Sequence, residues 1–395
     1  MRILLINYEY PPIGGGAATA TQALGRCFIQ LGHEVTVLTS GIGDHVGEAI
    51  EDGARIIRLD IRRARNDRAS MAEMLRFLWR GTLTLSPAHR KSRPNFAIIF
   101  FAVPCGPLGW FLNWRYKIPY IVSLRGGDVP GFLPELDRFH AILAPIRRQC
   151  LRRAQSVVAN SPSLTELARQ ADGGSVTMIP NGVDTEKFSP RTDRTPRDIF
   201  RFIFVGRLTA QKRLALTLQT FKRLHEQCAN REFLHLSVVG DGPLRVELEH
   251  TAAELGIAQY VQWHGWLARE LLCELYRDAD CLIHASNIEG MSNTVLEGMA
   301  SGLPVISSDG PGNRDIVIDG ENGLVFPVDN AEALLEAMVS VTSNKQLLQR
   351  LGSASRSRAL TYHSWMAAAR AYLRLMCVDT ASYLPNHVAH TEKTI

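Results

Sequence analysis

The sequence predicts an α/β protein of two doubly wound domains whose parallel sheets face each other across a cleft. Three observations predict it. The chain has 395 residues, 46% of them hydrophobic and 21% charged, an ordinary globular composition. Single cores stop growing at roughly 250–300 residues, so a chain this long divides in two. Short apolar runs alternate with stretches of helical period, the pattern of parallel strands buried on both faces. Finally, two segments begin alike, ILLINYEYPPIGGG at 3–16 and RFIFVGRLTAQKR at 201–213, each a β-type run entering a glycine turn.

In the first half the strand runs are Ile3–Ile6, Val35–Leu38, Ile98–Val103, Tyr120–Leu124, Ser156–Ala159 and Val176–Ile179, with helices such as Ala17–Leu31 and Ser163–Gln170 between them. The second half repeats the pattern with Phe202–Val205, Leu234–Val239, Val261–His264, Cys281–His284, Pro304–Ser307 and Gly323–Phe326. The stretch from Phe96 to Trp114 carries no charge, but two Pro and two Gly break it into strand, turn and helix start, so it is not read as a membrane span. Between the halves, FSPRTDRTPRD (188–198) is polar with two prolines and reads as a linker. The boundary is placed there, giving domains 1–190 and 191–360.

Seven cysteines show no CxxC pair and no His at ligand spacing, so they read as reduced thiols of a cytoplasm-like compartment. The N-terminus reads as a buried first strand, not a signal peptide. Net charge is +5, unevenly spread: residues 1–190 hold 23 Lys/Arg against 16 Asp/Glu, and the rest hold 21 against 23. Eleven basic residues lie between Arg55 and Arg93, in a segment that also carries Met71, Met74, Leu75, Phe77, Leu78 and Trp79. Basic plus apolar suggests peripheral contact with an anionic membrane; an arginine-rich solvated helix with an apolar core side is the competing reading. No nucleic-acid partner is expected.

In doubly wound sheets ligands bind beyond the carboxyl ends of the strands. The densest signal there is SNIEGMSNTVLEGMASGLPVISSD (286–309). A helix starting near Ser292 presents amides from Met291, Ser292, Asn293 and Thr294, a ready anion site. Glu289 precedes that terminus, beside Gly290, and could accept hydrogen bonds from hydroxyls carried with a phosphate, as in a sugar; Glu297 follows eight positions later. From another strand end emerge Gly206, Arg207 and Lys212, whose cationic donors suit a diphosphate. Gly14-Gly15-Gly16 permits close backbone approach to a ligand. It does not match GxGxxG, which disfavours dinucleotide binding. Pro180-Asn181-Gly182-Val183-Asp184 and Gly240-Asp241-Gly242-Pro243 read as turns.

Together these motifs resemble the retaining glycosyltransferases of family 4, with the GT-B fold of two Rossmann-like domains. The resemblance also takes in Leu296-Glu297, Gly302-Leu303-Pro304-Val305-Ile306 and His363-Ser364-Trp365, and spans nearly the whole chain. It implies a nucleoside diphosphate sugar, UDP-sugar ahead of GDP-sugar, held mainly by the second domain, with a glycan or lipid-linked saccharide acceptor on the first. Gly15, Gly16 and Gly265 join the donor site, and residues 361–395 form a final helix crossing back to the first domain plus a polar tail. Glu289 would hold sugar hydroxyls, Glu297 the ribose, and Arg207 and Lys212 the departing diphosphate. Many relatives carry a catalytic His where this chain has Arg125, which stays protonated and cannot act as a base. Arg125 and Asp128 are therefore expected to hold an anion and orient an acceptor hydroxyl, or else to brace the loop as a pair. No metal cofactor is expected, since no DxD segment lies in a suitable loop. The rival readings are a sugar-nucleotide epimerase of the same fold and a non-catalytic nucleotide-sugar-binding protein.

Overall fold

The computed structural model describes residues 1–65, 69–85, 93–191, 199–228 and 231–377. The expected linker falls largely, and the polar tail largely, outside them. Among these residues fourteen strands form two sheets. In the first half these are β1 (Arg2–Ile6), β2 (Glu34–Gly41), β3 (Gly47–Glu51), β4 (Ala54–Asp60), β5 (Phe96–Phe100), β6 (Tyr120–Ser123), β7 (Ser156–Ala159) and β8 (Val176–Met178). The second half contributes β9 (Phe200–Val205), β10 (Leu234–Val239), β11 (Val261–Gly265), β12 (Cys281–His284), β13 (Val305–Ser308) and β14 (Gly323–Phe326). Five helices lie between strands of the first sheet: α1 (Gly16–Gln30), α2 (Met71–Thr84), α3 (Gly106–Tyr116), α4 (Asp137–Arg153) and α5 (Pro162–Asp172). Then come α6 (Leu214–Gln227), α7 (Arg245–Glu254), α8 (Arg269–Asp278), α9 (Asn293–Ala300), α10 (Ala331–Ser343), α11 (Lys345–Tyr362) and α12 (Trp365–Cys377).

The first sheet runs β3-β4-β2-β1-β5-β6-β7-β8 and the second β11-β10-β9-β12-β13-β14. All pairings are parallel except β3 with β4, an antiparallel edge hairpin that strand-run reading missed. Its turn is Asp52-Gly53, both at positive φ, the backbone a two-residue hairpin demands. The basic stretch from Arg55 therefore begins on a strand. Arg58 is buried, forked onto Glu51.

Each sheet buries apolar residues on both faces. Ile3, Leu5, Val35, Val37, Ile98 and Ile121 face a cluster that includes Trp365, Ala368, Ala369, Tyr372 and Met376 of α12, which thus packs on the first sheet. Leu4, Ile6, Ile99 and Val122 face the cluster of α2 and α3. Phe202, Phe204, Leu236 and Ile283 make the corresponding core of the second sheet with α6 and α10.

Strand order reverses where β1 meets β2 on one side and β5 on the other, and again where β9 lies between β10 and β12. These two crevices are where such sheets take ligands. Gly14–Gly16 follow β1, Arg207 and Lys212 follow β9, and Glu289 follows β12. Topology alone places the candidate residues at both switch points.

Candidate active site

Glu289 is set by the loop after β12. Its N–H donates to Pro311 O at 2.9 Å, and Gln211 Nε2 donates to the neighbouring Ile288 O at 2.7 Å, tying this loop to the one after β9. Lys212 Nζ consequently lies 2.5 Å from Glu289 Oε1, with the two side chains 15% and 14% exposed. His284 Nε2, at the end of β12, is 3.5 Å from the same oxygen. Burial works against a charge on Glu289, but Lys212 and then His284 outweigh it and hold the carboxyl well below the usual range. Burial lowers His284, so at neutral pH the contact is a carboxylate beside a neutral imidazole. An ammonium has three donors, and Glu289 takes one of them. Gly206 packs under the Lys212 stem, where an added Cβ would stand 3.4 Å from Cε.

Ser292 is the N-cap of α9, its Oγ accepting from Val295 N at 3.4 Å. Met291 and Gly290 are buried, and Asn293 and Thr294 form the first turn. Glu297 lies further along α9, with Arg269 Nη2 at 3.4 Å and Tyr276 Oη at 3.4 Å. Burial pushes its carboxyl up to about 7, with Arg269 pulling the other way. A raised carboxyl contributes stability that is complete below its unfolded value of about 4.5 and is lost as pH rises through the folded value. Unfolding free energy is therefore expected to fall between about pH 5 and 8, and Glu297→Gln should flatten that decline. Denaturant melts across this range measure it, and an unchanged slope in the variant would contradict it.

The first sheet closes the other side. Gly15 is the N-cap of α1, and a Cβ there would meet nothing within 4 Å, so its backbone faces open space. Gly14, at φ +88°, lies against Glu9, whose atoms would sit 2.6 Å from an added Cβ. Sequence reading missed Glu9. Burial raises its carboxyl, while Arg63, with Nη2 3.9 Å from Glu9 Oε1, acts in the opposite sense, as Arg207 does more weakly. Gly16 O accepts from Asn293 Nδ2 at 3.1 Å, joining the glycine loop to α9. On another flank Ser163, in the first turn of α5, donates through N and Oγ to Asp315 at 3.0 and 3.1 Å.

Arg125 and Asp128 do not form the direct side-chain pair that was the competing expectation. Asp128 is 2% exposed and its carboxylate accepts backbone N–H from Ala102, Arg125 and Gly126 at 2.7, 2.9 and 3.1 Å. Burial pushes this carboxyl up against those hydrogen bonds. Its oxygens are occupied in shaping the loop, so this structure does not present it to an acceptor hydroxyl. The Arg125 guanidinium instead lies over the Phe100 ring at 4.8 Å and donates through Nη1 to Asn181 Oδ1 at 2.8 Å. The Arg125 backbone reaches the loop after β12, since a Cβ on Gly290 would stand 3.1 Å from Arg125 O. Gly265 ends β11 next to Arg245 Nη1. Among the described residues no cluster of three or more His, Cys, Asp or Glu is arranged to hold a metal.

Two family profiles match nearly the whole chain: "Glycosyl transferase 4-like domain" over residues 15–182 and "Glycosyl transferases group 1" over residues 186–358. The chain is similar to a phosphatidyl-myo-inositol mannosyltransferase of Mycolicibacterium smegmatis, at 24% identity over 95% of this chain and 93% of that protein. Its structure is similar to sucrose-phosphate synthase from Thermosynechococcus elongatus, with TM-score 0.82 and 22% identity, covering 95% and 98% of the two chains. It also resembles Anabaena HepE in complex with UDP and glucose, with TM-score 0.74, 17% identity and the same coverage. Two matched profiles, two parallel-sheet domains and convergent strand-end motifs lead to one assignment: the chain belongs to the group 1, family 4 glycosyltransferases of GT-B fold.

Proposed function

We propose that the protein is a retaining glycosyltransferase that moves a sugar from a nucleoside diphosphate sugar to a hydroxyl of a glycan or lipid-linked saccharide. UDP-sugar is the first choice of donor and GDP-sugar the second. The observation that carries this reading is the convergence of Arg207, Lys212, Glu289 and the α9 N-terminus on one switch point. The bond from the sugar's anomeric carbon to the diphosphate oxygen breaks, and its electron pair leaves with the diphosphate. Arg207, Lys212 and the amides from Met291 to Thr294 stabilise that charge as it develops. Glu289 holds sugar hydroxyls and Glu297 the ribose. The acceptor oxygen bonds the anomeric carbon on the face the diphosphate leaves, and its proton passes to the β-phosphate.

Two cations and a helix terminus supply the positive charge such a leaving group needs, so transfer should persist in excess EDTA. A panel of UDP- and GDP-sugars, screened by melting temperature and then by product, tests the reading. A bound donor raises stability by mass action. Released nucleoside diphosphate and a new glycoside are expected. An isomerised donor would indicate an epimerase, and saturable binding without turnover a sensor. Loss of activity in EDTA, restored by Mg²⁺ or Mn²⁺, would contradict metal independence.

The acceptor domain also supports contact with an anionic membrane. No helix among the described residues is long and apolar enough to cross a bilayer. On α2, Met71, Leu75, Trp79 and Leu83 recur every four residues and are 46–63% exposed; Trp114 on the adjacent α3 is 67% exposed. Arg62, Arg65, Arg76 and Arg115 are exposed in this region. Phe77, expected among the apolar contacts, is instead buried in the core, as is Arg63; Arg68 lies outside the described residues. Seven cysteines without a CxxC pair or a His at ligand spacing are consistent with a cytoplasmic location at the inner face of such a membrane. Each Arg near an anionic surface contributes about 1 kcal/mol before screening. Charge reversal at Arg62, Arg65, Arg76 and Arg115 should therefore cut liposome partitioning at least roughly tenfold. Sedimentation with phosphatidylserine vesicles measures it, and binding should fall with salt. Equal pelleting with neutral and anionic vesicles would leave α2 a solvated face.

A further inference from the structure

The turn Pro180-Asn181-Gly182 has chemistry that neither the donor clamp nor the fold accounts for. All four polar groups of Asn181 are engaged, each with a different segment. Its N–H donates to Met291 Sδ at 3.2 Å, in the donor loop. Its C=O lies 3.2 Å from His363 Nδ1, at the turn into α12. Its Oδ1 accepts from Arg125 Nη1 at 2.8 Å, and its Nδ2 donates to Asn293 Oδ1 at 2.9 Å. Asn293 Nδ2 in turn donates to Gly16 O.

The polarity of this chain is fixed at both ends. A guanidinium only donates and a backbone carbonyl only accepts, so each amide between them has one orientation. Asn181 is 4% exposed. It has no room to shift, because a Cβ on the next residue, Gly182, would stand 2.1 Å from Trp365 N. Among the described residues, Asn181 Oδ1 is the only hydrogen-bond partner of the Arg125 guanidinium, whose Nε is buried without one.

We propose that Asn181 is a positioning residue that fixes the Arg125 guanidinium relative to the α9 N-terminus, so that the cation stands correctly against the donor only when the Asn181–Asn293–Gly16 chain is intact. The proposal rests on the reading of Arg125 as a substrate-facing cation. It differs from a bracing role in what it predicts. Asn181 touches neither Arg207 nor Lys212 among its hydrogen bonds, and it meets Met291 and Asn293 through their side chains, not through the backbone amides assigned to the diphosphate, so its loss should spare diphosphate binding and lower turnover.

The test uses the full chain, with UDP and GDP as binding probes and the donor selected by the panel for turnover. Asn181→Ala should leave the diphosphate Kd within about threefold of wild type while kcat falls at least tenfold. Asn181→Asp keeps an oxygen for Arg125 but sets a second oxygen against Asn293 Oδ1 and so breaks the chain. Its kcat should stay at least tenfold down with the diphosphate Kd near wild type. Full recovery would overturn the proposal, and this comparison stands even if Asn181→Ala folds poorly. The double variant Arg125→Ala/Asn181→Ala should be no slower than Arg125→Ala alone. Additive losses, a parallel loss of diphosphate affinity, or full activity in Asn181→Ala would overturn the proposal. If no donor turns over, the functional reading fails, and the same cycle is read on melting temperature. There the double variant should lose less than the sum of the single losses, because Asn181→Ala strands a buried guanidinium; additive losses again overturn the proposal.

Discussion

Replacing Arg207 or Lys212 with Ala should lower kcat/KM for sugar transfer by roughly 30- to 1000-fold, the loss of about 2–4 kcal/mol of transition-state stabilisation from one preorganised donor. Both side chains follow the carboxyl end of β9, at the β9/β12 crevice, where the proposed mechanism has the diphosphate charge grow. Lys212 is held there before any donor arrives, by Glu289 at 2.5 Å, so little reorganisation is needed at the moment of bond cleavage. The effect should fall mainly on kcat, because the charge is larger in the transition state than in the bound donor. Steady-state kinetics with the donor identified by the panel measure it. Near-wild-type values in both variants would remove the clamp from the mechanism.

The second large effect concerns stability. Lys212→Ala leaves Glu289 as an uncompensated carboxylate only 14% exposed, and breaking a buried pair from one side costs on the order of 3–5 kcal/mol. The sign with pH follows from the direction of the shift. In the wild type Glu289 is held low by Lys212, so its contribution is present above the unfolded value of about 4.5 and is lost only as pH falls through the depressed folded value. In Lys212→Ala the stranded charge is relieved by protonation, and the deficit should narrow as pH is lowered from 8 to 5. The double variant Lys212→Met/Glu289→Gln removes both charges. It should regain most of the melting temperature while being no more active than Lys212→Ala. A deficit that is flat with pH would show that the two groups are not coupled.

Much of this architecture was legible in the sequence because parallel strands buried on both faces must be apolar throughout. Runs such as Ile98–Phe100 and Leu234–Val239 announce themselves. The β12–α9 unit was legible for another reason: Ser292 caps locally, through an atom three residues from its partner. The β3–β4 hairpin was missed because its charges, Glu48 and Glu51 on β3 and Arg55 and Arg58 on β4, fall three residues apart, off the period of two that marks a half-buried strand, and β4 merged with the basic stretch from Arg55. Its Asp52-Gly53 turn was the available signal. Glu9, Asn181 and His284 escaped for a different reason. Each acquires its role through partners distant in sequence: Asn181 meets Arg125 56 positions away and Asn293 112 positions away. Local chemistry identifies Asn181 only as a turn residue. The part Asp128 plays in its loop was hidden in the same way, because three backbone amides donate to its carboxylate only once the loop has folded.

The account stands most directly on what happens to the donor's anomeric carbon. The 395-residue chain incubated in EDTA with the UDP- or GDP-sugar of the panel and a saccharide acceptor, followed by proton NMR, reads this in one experiment. The account predicts release of nucleoside diphosphate matched one for one by a new glycoside whose anomeric configuration is that of the donor, with both products abolished together in the Arg207→Ala/Lys212→Ala double variant. A glycoside of inverted configuration, or undiminished transfer by that double variant, would contradict it.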